Sequence, residues 1–359
     1  MIGQRAGQDR ICRAVQKVVI GGIGTGGHYF PAAVTAVELE RRGFEVCFLV
    51  RRGYQEESVA RRYGLEVFSI RSRPFYGRSL IEKLLVVPAL LQSVLKLNHL
   101  IRRSIGLGFG GFGSVPLCIS CLMKRRPFYI FEPNRVPGRA TRFFASRARR
   151  VFLGMPVVSP LRGRVLLTGI PIRHEFKSAK VTPAHNAGRR SVEILFYGGS
   201  QGARRLNDLA LELQGSMPED WQLTVIAGTR DYERVNRLKN ARTRVVQFSE
   251  RPWQDIGRAD IVISRAGALA GYEIMILNKK VIFIPFPYAV DAHQRHNASY
   301  FAKVGRALVC AEDGLTAQQI RQAIDELLKT KSLKRTELAR NAEKVIAGCL
   351  AKDIGNEEI

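Results

Sequence analysis

The chain has 359 residues, too many for one ordinary core and about right for two domains. Hydrophobic residues at 46% exclude intrinsic disorder. The longest apolar stretch, Leu84 to Leu97, is broken by Pro88, Gln92, Ser93 and Lys96 and falls short of the ~20 residues of a spanning helix. Lys and Arg number 57 against 31 Asp and Glu, a net charge of +26, with +19 on residues 1–172 and +7 on residues 173–359. Such a field attracts nucleic acid, acidic lipid or a phosphorylated substrate, and composition does not choose among them.

In chain order, the polar start is followed by no apolar signal-peptide core, so the cytosol is the expected compartment. β-Branched and aromatic runs then predict strands at Val18–Ile20, Val46–Val50, Val67–Ile70, Ile105–Phe109, Tyr129–Phe131, Val151–Leu153 and Val165–Leu167. Between the third and fourth, Ser79–Leu97 places Leu80, Leu84, Val87, Leu91 and Leu95 at helical spacing among arginines. That pattern fits either a helix face lying on anionic lipid or a core face with solvated cations. A polar segment, Lys177–Arg190, reads as a linker or exposed loop. Strands resume at Ile194–Tyr197, Leu223–Ala227, Val245–Phe248, Ile261–Ser264, Val281–Ile284 and Ala307–Val309, and Thr316–Leu350 reads as helical. Strands alternating with helices predict βαβ units in two doubly wound parallel sheets, with ligands in the cleft at the strands' carboxyl ends. The expected domains are 1–172 and 173–337, with a final helix at about 338–359 returning to the first.

Three Gly-rich corners stand out. The first is Gly21 to His28, the second Gly106 to Pro116, and the third Gly198 to Ala203 with Ser200 inside it. Glycine lets backbone approach an anion, and the helix that follows offers free N–H groups and a positive dipole end. No acidic residue ends the second strand, which reads Val50-Arg51-Arg52, so the dinucleotide fingerprint is incomplete. His28 falls in the first helical turn, where the dipole favours the neutral imidazole of a general base. Cys118 and Cys121 form a C-x-x-C inside an apolar helix, which reads as buried thiols rather than a metal or redox site.

Eight motifs run in one order: Gly24-Thr25-Gly26-Gly27-His28-x-Phe30-Pro31, Gly110-Gly111-Phe112-x-Ser114-x-Pro116, Glu132-x-Asn134, Gly169-x-Pro171-x-Arg173, Gly198–Ala203, Arg265-x-Gly267-Ala268-Leu269 with Glu273, Pro285-Phe286, and Asp291-x-x-Gln294-x-x-Asn297-Ala298. Over residues 17 to 350 the chain resembles the MurG family of UDP-N-acetylglucosamine transferases, glycosyltransferase family 28. The resemblance implies an α/β GT-B enzyme that moves N-acetylglucosamine with inversion to the 4-hydroxyl of undecaprenyl-pyrophosphoryl-MurNAc-pentapeptide. The implied partners are UDP-N-acetylglucosamine (a co-substrate, with no cofactor and no metal), that lipid, and an anionic membrane surface. The implied location is the cytoplasmic face of the bacterial inner membrane. Basic residues in pairs rather than long runs argue against nucleic acid.

By the same resemblance His28, Arg173 and Glu273 are catalytic, Glu273 also holding the ribose hydroxyls. The donor would meet Thr25, Gly26, Gly27, Asn134, Arg173, Ser200, Gln201, Gly202, Ser249, Ala268, Leu269, Ala270, Glu273 and Gln294. The acceptor diphosphate would meet Gly24, Thr25, Gly26, Gly110 and Gly111. The chain departs from the family at Phe131 and Pro133, at Ala270 and Tyr272, at Ser249 and at Arg103-Ser104. Other readings are a different GT-B glycolipid transferase, a UDP-sugar epimerase, or a non-catalytic basic protein binding membrane or nucleic acid.

Overall fold

A computed structural model describes residues 16–72, 86–179, 191–199, 202–305, 307–330 and 338–355. The first half runs β1 (Lys17–Gly21), α1 (Gly26–Arg41), β2 (Glu45–Val50), α2 (Gln55–Arg62), β3 (Glu66–Ser69), α3 (Val86–Ile101) and β4 (Ser104–Gly108). It continues through α4 (Val115–Met123), β5 (Phe128–Glu132), α5 (Arg139–Phe144), β6 (Arg150–Leu153) and β7 (Val165–Leu167). After α6 (His174–Ser178) come β8 (Val192–Tyr197), α7 (Arg204–Gln214), β9 (Trp221–Ile226), α8 (Tyr232–Leu238), β10 (Thr243–Val246), α9 (Pro252–Arg258) and β11 (Ile261–Ser264). The chain ends through α10 (Ala268–Ile276), β12 (Lys280–Phe283), α11 (His293–Val304), β13 (Ala307–Val309), α12 (Ala317–Lys329) and α13 (Ala342–Gly355).

Each of the thirteen predicted runs overlaps a strand. Most are apolar along their whole length because helices cover both faces of a parallel sheet. The tenth begins two residues earlier than its hydrophobicity suggests, since β10 pairs with β9 only from Thr243 to Val246 and Phe248 lies exposed beyond it. The predicted helical stretch 316–350 contains two helices, with Leu338–Asn341 not helical before α13.

The first sheet has the order β3-β2-β1-β4-β5-β6-β7 and the second β10-β9-β8-β11-β12-β13, all parallel. Each order reverses once, between β1 and β4 and between β8 and β11. At those two switch points the carboxyl ends of neighbouring strands diverge and open a crevice. The first and second Gly-rich corners leave β1 and β4; the third leaves β8, and the turn into α10 leaves β11. The topology alone therefore collects the motifs.

One apolar cluster runs through both halves, from Val18 and Phe48 to Tyr272, Phe301 and Leu350. Helix α13 packs on α1, where Arg42 donates to the Lys344 carbonyl at 3.0 Å. Tyr129 donates to Asp353 at 3.2 Å. Helix α1 also touches α10 directly, so the halves meet through packed side chains.

Candidate active site

The first corner is built around His28. Thr25 caps α1, and His28 Nδ1 lies 3.2 Å from the Thr25 hydroxyl and 3.4 Å from its backbone N–H. The ring leans on the second corner. A Cβ on Gly111 would stand 3.2 Å from His28 Nε2, and one on Gly24 2.9 Å from Nδ1. Gly110 and Gly111 also hold φ of 66° and 64°, which side-chain-bearing residues rarely adopt. Of the five residues expected at the acceptor diphosphate, Gly24, Thr25, Gly110 and Gly111 thus lie against one imidazole, and Gly26 opens the helix beside it. Burial of the ring pushes the His28 pKa down to about 4, and His293, at the start of α11 in the other half, lowers it further.

Arg173 caps α6 at the junction of the halves, and Glu273 lies in the middle of α10. Arg173 donates through Nε to Oε1 at 2.9 Å and through Nη2 to Oε2 at 3.0 Å, a bidentate pair that is 8% exposed on one side and 1% on the other. Burial raises the Glu273 carboxyl above its ordinary value, opposed by the guanidinium. Both oxygens expected at the ribose therefore accept from Arg173. Sequence reasoning does not anticipate that pairing, because the two positions lie 100 residues apart.

Asn134 is bound on both sides. Its Nδ2 donates to Glu132 at 3.2 Å, and its Oδ1 accepts from Asn297 at 3.1 Å. Glu132, 2% exposed, also accepts from the Asn134 and Gly138 amides and from the Thr141 hydroxyl, and so shapes the whole turn after β5. Asn297, completely buried, additionally accepts from the Arg135 amide and donates to the Ala266 carbonyl. The motifs contain Asn297, but nothing in them marks it as the bridge between halves.

In the other half, Ala268, Leu269 and Ala270 form the first turn of α10, and the Gly271 amide donates to the Gly267 carbonyl at 2.9 Å. Their N–H groups precede any i−4 partner and face the crevice end of β11. Gln294 accepts from the Phe286 amide at 3.0 Å through Oε1, which orients its NH2 as a donor. Asp291 and Ala292, immediately before α11, both hold left-handed φ near 50°. Ser249 donates to Asp255. Gly202 lies beside Ala227, whose carbonyl oxygen would be 2.3 Å from an added Cβ. Ser200 and Gln201 lie outside the described residues.

Two of the departures, Phe131 and Tyr272, are core positions. Phe131 is fully buried and packs on Phe109 at 5.2 Å between ring centroids. Tyr272 points away from solvent, donating to the Ala339 carbonyl at 2.9 Å, above a glycine, Gly169, whose Cβ would clash with its hydroxyl at 2.5 Å. Cys118 and Cys121 are buried free thiols, both pushed up by burial, Cys121 to about 12. Among the described residues no group of three or more His, Cys, Asp or Glu is placed to hold a metal.

The model for the glycosyltransferase family 28 N-terminal domain matches residues 18–153, and that for the family 28 C-terminal domain matches residues 193–350. The chain belongs to glycosyltransferase family 28. A relative from Coxiella burnetii (strain RSA 331 / Henzerling II) is 32% identical over 341 residues, 92% of this chain and 94% of its own. It is named UDP-N-acetylglucosamine–N-acetylmuramyl-(pentapeptide) pyrophosphoryl-undecaprenol N-acetylglucosamine transferase. An Aquifex aeolicus (strain VF5) protein of the same name is 30% identical, covering 87% of this chain and 92% of its own. The crystal structure of Acinetobacter baumannii MurG superposes with a TM-score of 0.74 at 25% identity, covering 94% and 99%. A UDP-GlcNAc 2-epimerase from Neisseria meningitidis shares the two-domain fold, with a TM-score of 0.62 at 13% identity.

Proposed function

We propose that this family member transfers N-acetylglucosamine from UDP-N-acetylglucosamine to the muramic acid 4-hydroxyl of undecaprenyl-pyrophosphoryl-MurNAc-pentapeptide. The observation carrying this reading is His28, kept neutral by burial and held between two Gly-rich corners suited to a diphosphate. With the ring's own proton on Nδ1 and donated to the Thr25 hydroxyl, Nε2 presents its lone pair to the acceptor. It takes the hydroxyl proton as that oxygen bonds to the sugar's anomeric carbon and the bond to UDP breaks. Charge growing on the departing diphosphate meets Arg173 and the N–H groups at the start of α10. In this reading Glu273 keeps Arg173 and accepts from the ribose hydroxyls on the remaining lone pairs of its two oxygens. UDP-N-acetylglucosamine is a co-substrate, and no cofactor takes part.

The acceptor's lipid places the reaction at an anionic membrane surface. Among the described residues no helix is long and apolar enough to cross a membrane. Helix α3 nevertheless exposes Val87, Leu91 and Leu95, each 58–63% accessible, four residues apart on one stripe. The helix packed beside it exposes Met123, and Arg102, Arg103 and Arg125 are exposed nearby in sequence. An apolar stripe flanked by cations suits a monotopic contact with acidic headgroups. Leu80 and Leu84 of the same expected face lie outside the described residues.

The test is transfer of labelled N-acetylglucosamine to a short-chain analogue of that lipid, with UDP-N-acetylgalactosamine and UDP-glucose as competing donors. Product only with the N-acetylglucosamine donor is expected, and failure to glycosylate the lipid analogue overturns the reading.

A further inference from the structure

The Arg173 guanidinium is held by more than Glu273. Its carbon lies 4.4 Å from the ring centre of Phe30 and 4.7 Å from that of Phe176. Phe176 is 1% exposed and abuts Trp253 edge-on at 6.1 Å, so it packs on the second half. Phe30 belongs to the first. It stands two residues after His28 on α1, and its ring lies back toward Gly26, 3.5 Å from where a Cβ would be. Glu273 takes the Nε and Nη2 edge of the fork, which leaves the Nη1 edge for a second anion. A planar cation gripped on one edge and against aromatic rings has little freedom left to tilt.

The geometry points to Phe30 as a positioning residue for transfer: its ring holds the Arg173 guanidinium in the orientation that presents the Nη1 edge to the leaving diphosphate, and couples that orientation to the helix carrying His28. This inference rests on the reading that Arg173 stabilises the leaving group. Phe30 touches no reacting atom itself. Its contribution runs through the attraction between a cation and a π face in a site nearly closed to water, where such contacts are strongest.

Fluorinated phenylalanines at position 30 weaken that attraction in steps while nearly preserving ring size. In the full-length protein, the series from Phe to 4-fluoro-, 3,5-difluoro- and pentafluoro-Phe should lower kcat progressively, by about tenfold at the end. KM for UDP-N-acetylglucosamine and the melting temperature should stay nearly constant. Phe30→Tyr should retain turnover, and Phe30→Leu should match the most fluorinated protein. A flat kcat across the series, or a fall that only tracks melting temperature, overturns the assignment. Arg173→Ala separates the two levels. If that variant turns over normally, the leaving-group reading fails and this inference with it; if it is inactive while the fluorinated series is flat, only the role of Phe30 fails.

Discussion

Arg173 and Glu273, 100 residues apart in sequence, share two hydrogen bonds beside the junction of the halves, and neither is more than 8% exposed. A buried pair of this kind is costly to break from one side, because the surviving charge stays desolvated. Glu273→Ala should therefore lower unfolding free energy by about 3 kcal/mol, measured by urea denaturation. Glu273→Gln, which keeps one acceptor for Arg173, should lose less. Equal stability of Glu273→Ala and the parent would mean that the pair does not stabilise the fold.

The His28 imidazole titrates at about 4, below its ordinary 6.5, chiefly through burial. The base is thus already neutral at pH 6, and the acid limb of kcat/KM should fall well below pH 6.5. Stability follows the same proton. Between about pH 6.5 and 4 the unfolded chain binds a proton that the folded ring refuses, so stability should drop through that window and level off below it. His28→Ala should remove this part of the acid sensitivity as well as turnover. A pH–rate profile and acid titrations of the two proteins check both.

Asn297 joins the turn after β5 to α11 with both ends of its amide occupied. Replacing it with Ala strands the Arg135 N–H and the Asn134 carbonyl oxygen in the interior, at a cost of about 2 kcal/mol. Because Asn134 is its partner, the double variant Asn134→Ala/Asn297→Ala should lose less than the sum of the singles. Additive losses in a double-mutant cycle would show that the two do not interact.

Ala292 sits at φ 48°, next to Asp291 at 52°. Glycine adopts this conformation without a Cβ penalty, so Ala292→Gly should stabilise the protein by up to about 1 kcal/mol. A lower urea midpoint in the variant would contradict the strain.

Leu91→Glu and Leu95→Glu place charges on the exposed stripe of α3, where neither leucine is needed by the core. Both should reduce co-sedimentation with anionic vesicles while leaving melting temperature unchanged. Binding by the parent should weaken as salt rises, since its cationic part is screened. Salt-independent binding, or none, would remove the membrane contact.

Much of the architecture was legible because the signals are local. A run such as Val46–Val50 is apolar throughout because a parallel strand is buried on both faces, and the glycines after Ile20 mark a corner that tolerates no side chain against His28. Boundaries set by pairing were less legible. Phe248 carries strand-forming character but lies beyond the last β9 partner of β10. The helical period of Val87, Leu91 and Leu95 likewise fitted core or surface equally well, until α3 buried Ser93, Val94, Leu97 and Ile101 on its other side.

The amino-acid sequence by itself determined two parallel α/β halves, the Gly-rich corners, the family and a charge of +26 weighted toward the first half. These follow from hydrophobic period, backbone freedom and composition, each readable within a short window or by counting. Only the tertiary structure decided that Glu273 pairs with Arg173, that Asn134 is tethered through Asn297, and that Phe30 lies against the guanidinium. Those relations depend on how α1, α10 and α11 meet across the cleft. Burial of the shared apolar cluster fixes that meeting, and the polar groups at its edge must then find partners there or remain unpaired away from water.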